Sequence, residues 1–185
     1  MRPMHRLALF AVIAGFLHPI TAQPQRSDLE QVLHLFPDQH VLKLEEFDED
    51  TRAFVRSHFP KDNPSVIGGD FDGNGVLDYA LLLKGDKVKG DKSSSLKVEV
   101  VLCAPDQQCR GVYHLDVSSY AGAVYLRPAR IGSHATRTDA VPTADGTSKG
   151  RLTLVGIQVV YFEKRKVLLS WNPKYKRIEE VQTGD

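Results

Sequence analysis

The sequence GGDFDGNGVLDYALLL, residues 68–83, decides how the middle of this chain folds. Oxygen-bearing side chains stand at loop positions 1, 3, 5 and 9, and these are Asp70, Asp72, Asn74 and Asp78. They can converge on one point only if the backbone curls, and Gly73 and Gly75 allow the positive φ values that a curl needs. The apolar run 79–83 that follows predicts a central strand buried on both faces.

The oxygen atoms of this loop are suited to Ca²⁺. Three carboxylates, the Asn74 amide oxygen, the Val76 backbone carbonyl at position 7 and a water match the six to eight oxygens that Ca²⁺ takes, whereas Mg²⁺ demands tighter octahedral geometry. Two carboxylates about 5 Å apart repel by about 3 kcal/mol at an effective dielectric of 20, so the acids need a cation. An EF-hand would carry Glu at position 12, where Leu81 stands, so we expect a strand–loop–strand unit. An acidic turn without metal is the alternative.

The segment 69–75, followed by Asp78-Tyr79-Ala80, resembles the calcium loop of FG-GAP and VCBS repeats. The resemblance implies that Ca²⁺ is bound by four side chains and one carbonyl, namely Asp70, Asp72, Asn74, Asp78 and Val76. The close match covers residues 68–83 of the 185, in one copy, whereas the family usually repeats the unit around a β-propeller. The ending 159–178 is also similar to the last hairpins of small exported bacterial proteins that carry a single such loop.

Helices are predicted only near the N-terminus, and strands are predicted over the rest of the chain. A capping box at 27–30 begins a helix over 28–36, and a second helix over 47–59 has acidic residues first and basic residues last, which suits the helix dipole. The predicted strands are 40–44, 65–69, 77–83, 96–103, 111–117, 123–126, 151–162, 166–171 and 175–181. We expect an α+β fold with one antiparallel sheet and the helices against it, and a loop over 132–150.

The two cysteines lie in VVLCAPDQQCRGVYHL with apolar, β-favouring residues on both sides. This pattern predicts a hairpin in which Cys103 and Cys109 face each other and form a disulfide. The spacing is not C-x-x-C, which disfavours a redox role, and two cysteines cannot complete a thiolate zinc site.

The first 22 residues have the layout of a secretory signal peptide, with Arg2 and Arg6 before an apolar run over 7–17. This run is too short to span a bilayer, which takes about 20 residues, and no later segment reaches that length. We therefore expect a single exported domain, residues 23–185, in the periplasm or secreted, without a transmembrane segment.

Charge and motifs exclude several function classes. The whole chain has a net charge of +1, and loss of Arg2 and Arg6 leaves one acidic residue in excess, so nothing draws it to nucleic acid. H-E-x-x-H does not occur, and the histidines show no zinc-ligand spacing. We assign no catalytic residue, and whether the chain is an enzyme stays open.

A basic and aromatic segment near the C-terminus is the expected partner surface. It contains Lys164, Arg165, Lys166, Lys174, Lys176 and Arg177, with Tyr161, Trp171 and Tyr175. Such a surface suits a glycan or an anionic envelope polymer, and the alternative is a solvated pair of hairpins whose lysines guard a sheet edge.

The sequence thus predicts an exported calcium-binding module with a structural or interaction role. Its expected partner is an envelope protein, an anionic polymer or a glycan. One alternative is a small exported hydrolase built around His114 or His134, for which Ser118, Ser133 and Asp116 are also available. The other is an inhibitor or immunity-type binder of a secreted enzyme, with contacts from 103–109 and 132–150. The oligomeric state is not predicted.

Overall fold

The computed structural model describes residues 26–85, 95–106, 108–130, 134–136, 149–151 and 154–182. The predicted signal peptide, residues 1–22, lies outside the described residues. In chain order the elements are α1 (Arg26–Leu33), β1 (Gln39–Val41), α2 (Glu49–His58), β2 (Val66–Gly69), β3 (Asp78–Gly85), β4 (Leu96–Cys103), β5 (Cys109–Asp116), β6 (Val124–Ala129), β7 (His134–Thr136), β8 (Lys149–Arg151), β9 (Gly156–Tyr161), β10 (Arg165–Asn172) and β11 (Arg177–Gln182). None of the described helices is long and apolar enough to cross a membrane.

Both predicted helices form. α1 ends at Leu33, before Pro37, because proline cannot continue a helix. α2 begins with Glu49 and Asp50 and ends with Arg56 and His58, so its charges oppose the helix dipole at both ends as expected.

The predicted strands also form, with shifts of a few residues at their ends. β4 has the predicted bounds, because its apolar residues alternate with Lys97 and Glu99 and then continue from Val100 to Cys103. The long strand expected over 151–162 is instead divided between β8 and β9. The stretch 132–150 is predicted to be a loop, and most of it lies outside the described residues. Its described parts include β7 and most of β8, which pair with each other.

The strands form two main antiparallel sheets, so the expectation of one sheet is wrong. The first sheet has the order β1-β3-β4-β5, with β2 also paired to β3, and the second has the order β11-β10-β9-β6. β6 follows a 3-10 turn, Ser118–Tyr120, and pairs with β9 instead of extending the first sheet from β5. Hydrophobic alternation predicts which side chains share a face, but it does not specify which strands pair.

The first sheet is covered on both faces, and β3 shows this clearly. Ala80 and Leu82 belong to a core that includes Val159 and Leu169 of the second sheet. The alternate residues Tyr79, Leu81 and Leu83 belong to a second core with Val32 of α1. All five β3 residues are buried, which confirms the prediction of a central strand with two apolar faces.

The Glu46 carboxylate connects the segment between β1 and α2 to β3. Glu46 accepts hydrogen bonds of 2.9 Å from Lys84 Nζ and from the backbone N–H of Lys43, and His40 Nε2 lies 3.3 Å from the same carboxylate. Burial acts to raise the pKa of Glu46, but the hydrogen bonds, led by that of Lys84, outweigh it and lower the pKa to about 2.

We expect Glu46→Gln to lower the free energy of unfolding at pH 7 by about 1 kcal/mol, because it removes the charge that Lys84 neutralises. The lowered pKa means that this stabilisation is present above pH 4.5, the ordinary value, and is lost as the pH falls toward about 2. Urea denaturation of both proteins across this range should therefore show the two converging in acid.

Glu45→Gln is the matched control, because Glu45 is exposed and its side chain makes none of these contacts. An equal loss in the two variants, or a loss independent of pH, would contradict the assigned role of Glu46.

Candidate metal site

The acidic loop connects β2 to β3 and is anchored at both ends. Gly69 and Asp78 face each other as the last cross-strand pair of the two strands, so residues 70–77 form the turn. Phe71 is buried in the core between the sheets and holds the first half of the loop against the fold. Gly73 and Gly75 have φ values of +83° and +82°, as the sequence predicted for a curled backbone.

The curl brings three carboxylates together. Oxygen atoms of Asp70, Asp72 and Asp78 all lie within 4.8 Å of one another. Asp70 is held inside the curl, because one of its oxygens accepts the Gly73 N–H at 2.7 Å and the other accepts the Gly75 N–H at 2.9 Å. Side chains separated by up to eight positions thus converge on one small volume.

Asp78 is the buried member of this group. Its two oxygens accept backbone N–H groups at 2.8 Å, one from Phe71 in the loop and one from Cys103 at the end of β4. Burial, with a smaller contribution from the charge of Asp72, raises the pKa of Asp78 to about 6 against the opposing effect of these two hydrogen bonds. The Asp78 carboxylate is thus hydrogen-bonded to two backbone N–H groups, and no described lysine, arginine or histidine forms an ion pair with it.

Asn74 and Val76 complete the set that the sequence predicted. The Asn74 amide oxygen accepts the Val76 N–H at 2.7 Å, and its amide nitrogen donates to Asp72 Oδ2 at 3.3 Å. Asn74 thus lies beside the carboxylates, and Val76 contributes an N–H donor to the contacts seen in the loop. A role for the Asn74 oxygen and the Val76 carbonyl as further ligands stays a prediction.

The loop is joined to the disulfide through the backbone of one residue. Cys103 donates its N–H to Asp78, and its carbonyl accepts a 2.8 Å hydrogen bond from Asn74 Nδ2. Cys103 and Cys109 are paired across β4 and β5 and form a disulfide, as the sequence predicted. No sequence pattern indicates these contacts between the hairpin and the acidic loop, since Asn74 and Cys103 are 29 positions apart in the chain.

The structure does not place His114 of the hydrolase alternative in hydrogen-bond contact with a candidate serine or acid among the described residues. His114 is exposed on β5, opposite Glu99, and within the described part of the chain it makes no hydrogen bond to Ser118 or Asp116. Ser118 instead donates its backbone N–H to Asp116 Oδ1 at 2.8 Å, and its hydroxyl contacts the backbone of Leu96. Ser133 and the side chain of His134 lie outside the described residues.

The basic and aromatic segment forms two separate surfaces. Lys164, Arg165 and Lys166 lie at the β9–β10 turn, whereas Lys174 and Lys176 lie at the β10–β11 turn. These turns are at opposite ends of the eight-residue strand β10, about 26 Å apart at 3.3 Å per residue. The expectation of one surface is therefore corrected to two, each with its own aromatic residues.

No protein-family model, curated protein or solved structure matches the chain. The likeness to the FG-GAP and VCBS calcium loop therefore stays a prediction carried by its motif residues.

We expect Asp78→Ala to lower the free energy of unfolding by about 2 to 4 kcal/mol in a chelator, because it leaves the N–H groups of Phe71 and Cys103 buried without an acceptor. Asp72→Ala should cost less than about 1 kcal/mol, since its hydrogen-bond partners are exposed to water. Urea denaturation in EDTA measures both. Equal losses would show that Asp78 has no special structural role.

Proposed function

We propose that this protein is an exported calcium-binding module with a structural or interaction role, and that Ca²⁺ binds in the Asp70–Asp78 loop. The observation that supports the proposal is the convergence of three carboxylates within 4.8 Å. Like charges at this separation repel, and a divalent cation among them removes the repulsion.

The donor set favours Ca²⁺ over other ions. All candidate ligands are oxygens, from Asp70, Asp72 and Asp78 and, by prediction, from Asn74 and the Val76 carbonyl. Hard cations prefer such a set, and Ca²⁺ tolerates the irregular geometry of a short loop better than Mg²⁺ does. The set contains neither sulfur nor imidazole, which zinc usually takes.

Bound calcium would stiffen more than the loop. Asp78 accepts the N–H of Cys103 and Asn74 donates to its carbonyl, so ordering of these two side chains also orders the end of β4. The ion would therefore fix the β2–β3 loop and the disulfide hairpin relative to each other. A fixed surface of this kind suits the binding of an envelope protein or an anionic polymer.

Export fits the covalent chemistry of the chain. Disulfides persist in oxidising compartments such as the periplasm and the extracellular space, and Cys103–Cys109 is such a bond. Calcium sites of extracellular modules bind in the range of about 10⁻⁴ to 10⁻³ M. A site of three carboxylates with an affinity in this range would suit an exported protein.

We expect Ca²⁺, at a concentration of about 100 times its dissociation constant, to raise the melting temperature of the purified protein by about 5 to 10 °C. The reference is the same protein in EDTA. Asp70→Ala should abolish this shift while the protein still folds, because Asp70 supplies one of the converging carboxylates. Calorimetric titration measures the affinity, and thermal unfolding measures the shift.

Asp106→Ala is the matched control for this experiment. Asp106 also accepts a backbone N–H, that of Gln108 at 3.1 Å, but it belongs to the β4–β5 turn. Its removal should leave the calcium shift intact. Melting that is the same with Ca²⁺ and with EDTA would overturn the proposed function.

The disulfide should support calcium affinity through Cys103. We expect the double variant Cys103→Ser, Cys109→Ser to bind Ca²⁺ about 5- to 10-fold more weakly, because the backbone that Asp78 and Asn74 hold becomes less constrained. Calorimetric titration at a temperature where the variant is folded measures this change.

Val167→Ala controls for a general loss of stability. Val167 is buried in the second sheet, so its truncation destabilises the fold without touching the loop or the hairpin. Its calcium affinity should equal that of the parent. An unchanged affinity in the cysteine variant would contradict the link between hairpin and loop.

A further inference from the structure

A groove of about 520 Å³ lies between α2 and the β9–β10 turn, and it shares no lining residue with the acidic loop. One wall is aromatic and includes Phe54, Phe59 and Tyr125. The lining also carries positive charge from Arg127 of β6, which lies over the Phe59 ring, and from the β9–β10 turn. The groove thus combines aromatic surface with cationic side chains.

Arg127 is the residue that gives the groove its chemistry. It is half-buried, and its guanidinium carbon lies 3.9 Å from the centre of the Phe59 ring. Its Nε is buried without a hydrogen-bond partner, and among the described residues no carboxylate forms an ion pair with it. Because no described carboxylate balances the charge of this half-buried guanidinium, the groove favours an anionic ligand.

Lys164 and Arg165 add positive charge, and neither forms an ion pair with a carboxylate in the described part of the chain. Lys164 Nζ lies 4.7 Å from the ring centre of Tyr120, and the Arg165 guanidinium carbon lies 4.8 Å from that of Tyr161. These ring contacts position the two cations beside the groove. Among the described residues that line the groove, Lys166 is a fourth cation and Glu163 is the one acid.

We propose that this groove binds a phosphate monoester attached to an aromatic or apolar body. A phosphate monoester carries up to two negative charges and offers three strong acceptor oxygens, which suits an arginine fork with further cations around it. The apolar body would lie along Phe54, Phe59 and Tyr125, because concave sites gain affinity from buried apolar surface. A free phosphate ion lacks this second contribution.

Phenyl phosphate, inorganic phosphate and phenol separate the two parts of the ligand. Each is titrated against the purified protein in EDTA at an ionic strength of about 0.15 M, with the amide NMR shifts of the groove residues followed. Phenyl phosphate should bind most tightly and should shift both the aromatic and the cationic residues. Equal affinity for inorganic phosphate would overturn the role of the aromatic wall, and equal affinity for phenol would overturn the role of the cations.

Arg127→Gln should weaken phenyl phosphate binding by about 10- to 100-fold, because it removes a charge-assisted hydrogen bond to the anion. Arg127→Lys keeps the charge and loses the fork, so it should weaken binding less, and it serves as the test variant if the glutamine variant does not fold. Unchanged affinity in the variant that folds would overturn the proposal.

Arg110→Gln is the matched control, because it removes the same charge from a different groove of the molecule. Binding should stay within about twofold of the parent, since long-range charge alone contributes little at this salt concentration. An equal loss in Arg110→Gln and Arg127→Gln would show general charge attraction and would overturn the site. Asp70→Ala should bind phenyl phosphate normally, so this result is independent of calcium binding.

Discussion

The two hydrogen bonds that the Asp78 carboxylate accepts hold three parts of the molecule together. Phe71 donates from the acidic loop, Cys103 donates from the end of β4, and Asp78 itself begins β3. A buried carboxylate is favourable only when its oxygens are satisfied, so these donors fix where the loop lies. The loop therefore curls against the disulfide hairpin, and its other acids, Asp70 and Asp72, come within reach of Asp78.

The second constraint is that β3 is apolar on both faces and needs a cover on each. α1 supplies one cover with Val32, and the second sheet supplies the other with Val159 and Leu169. The result is three layers, with the acidic loop at one end of the middle layer. Because the loop begins and ends in this rigid layer, its backbone has little freedom to spread apart.

The surface chemistry depends on how the outer strands are arranged. β10 separates two basic turns that are close in sequence, so each turn acquires its own neighbours. The β9–β10 turn lies near Arg127 and Phe59, which come from β6 and from the end of α2. No local pattern in the sequence marks these two residues, since their contact joins positions 68 apart in the chain.

The sequence by itself determined the curl of the acidic loop, the buried strand after it, the cysteine pair and both helices. These are local features, because glycine conformations, apolar runs, turn residues and helix-end charges act over a few neighbouring positions. Only the tertiary structure decided that there are two sheets, that Cys103 is held by Asp78 and Asn74, and that Arg127 lies over Phe59. Those choices depend on which strands pair and which faces pack, and such long-range contacts leave no periodic trace in the chain.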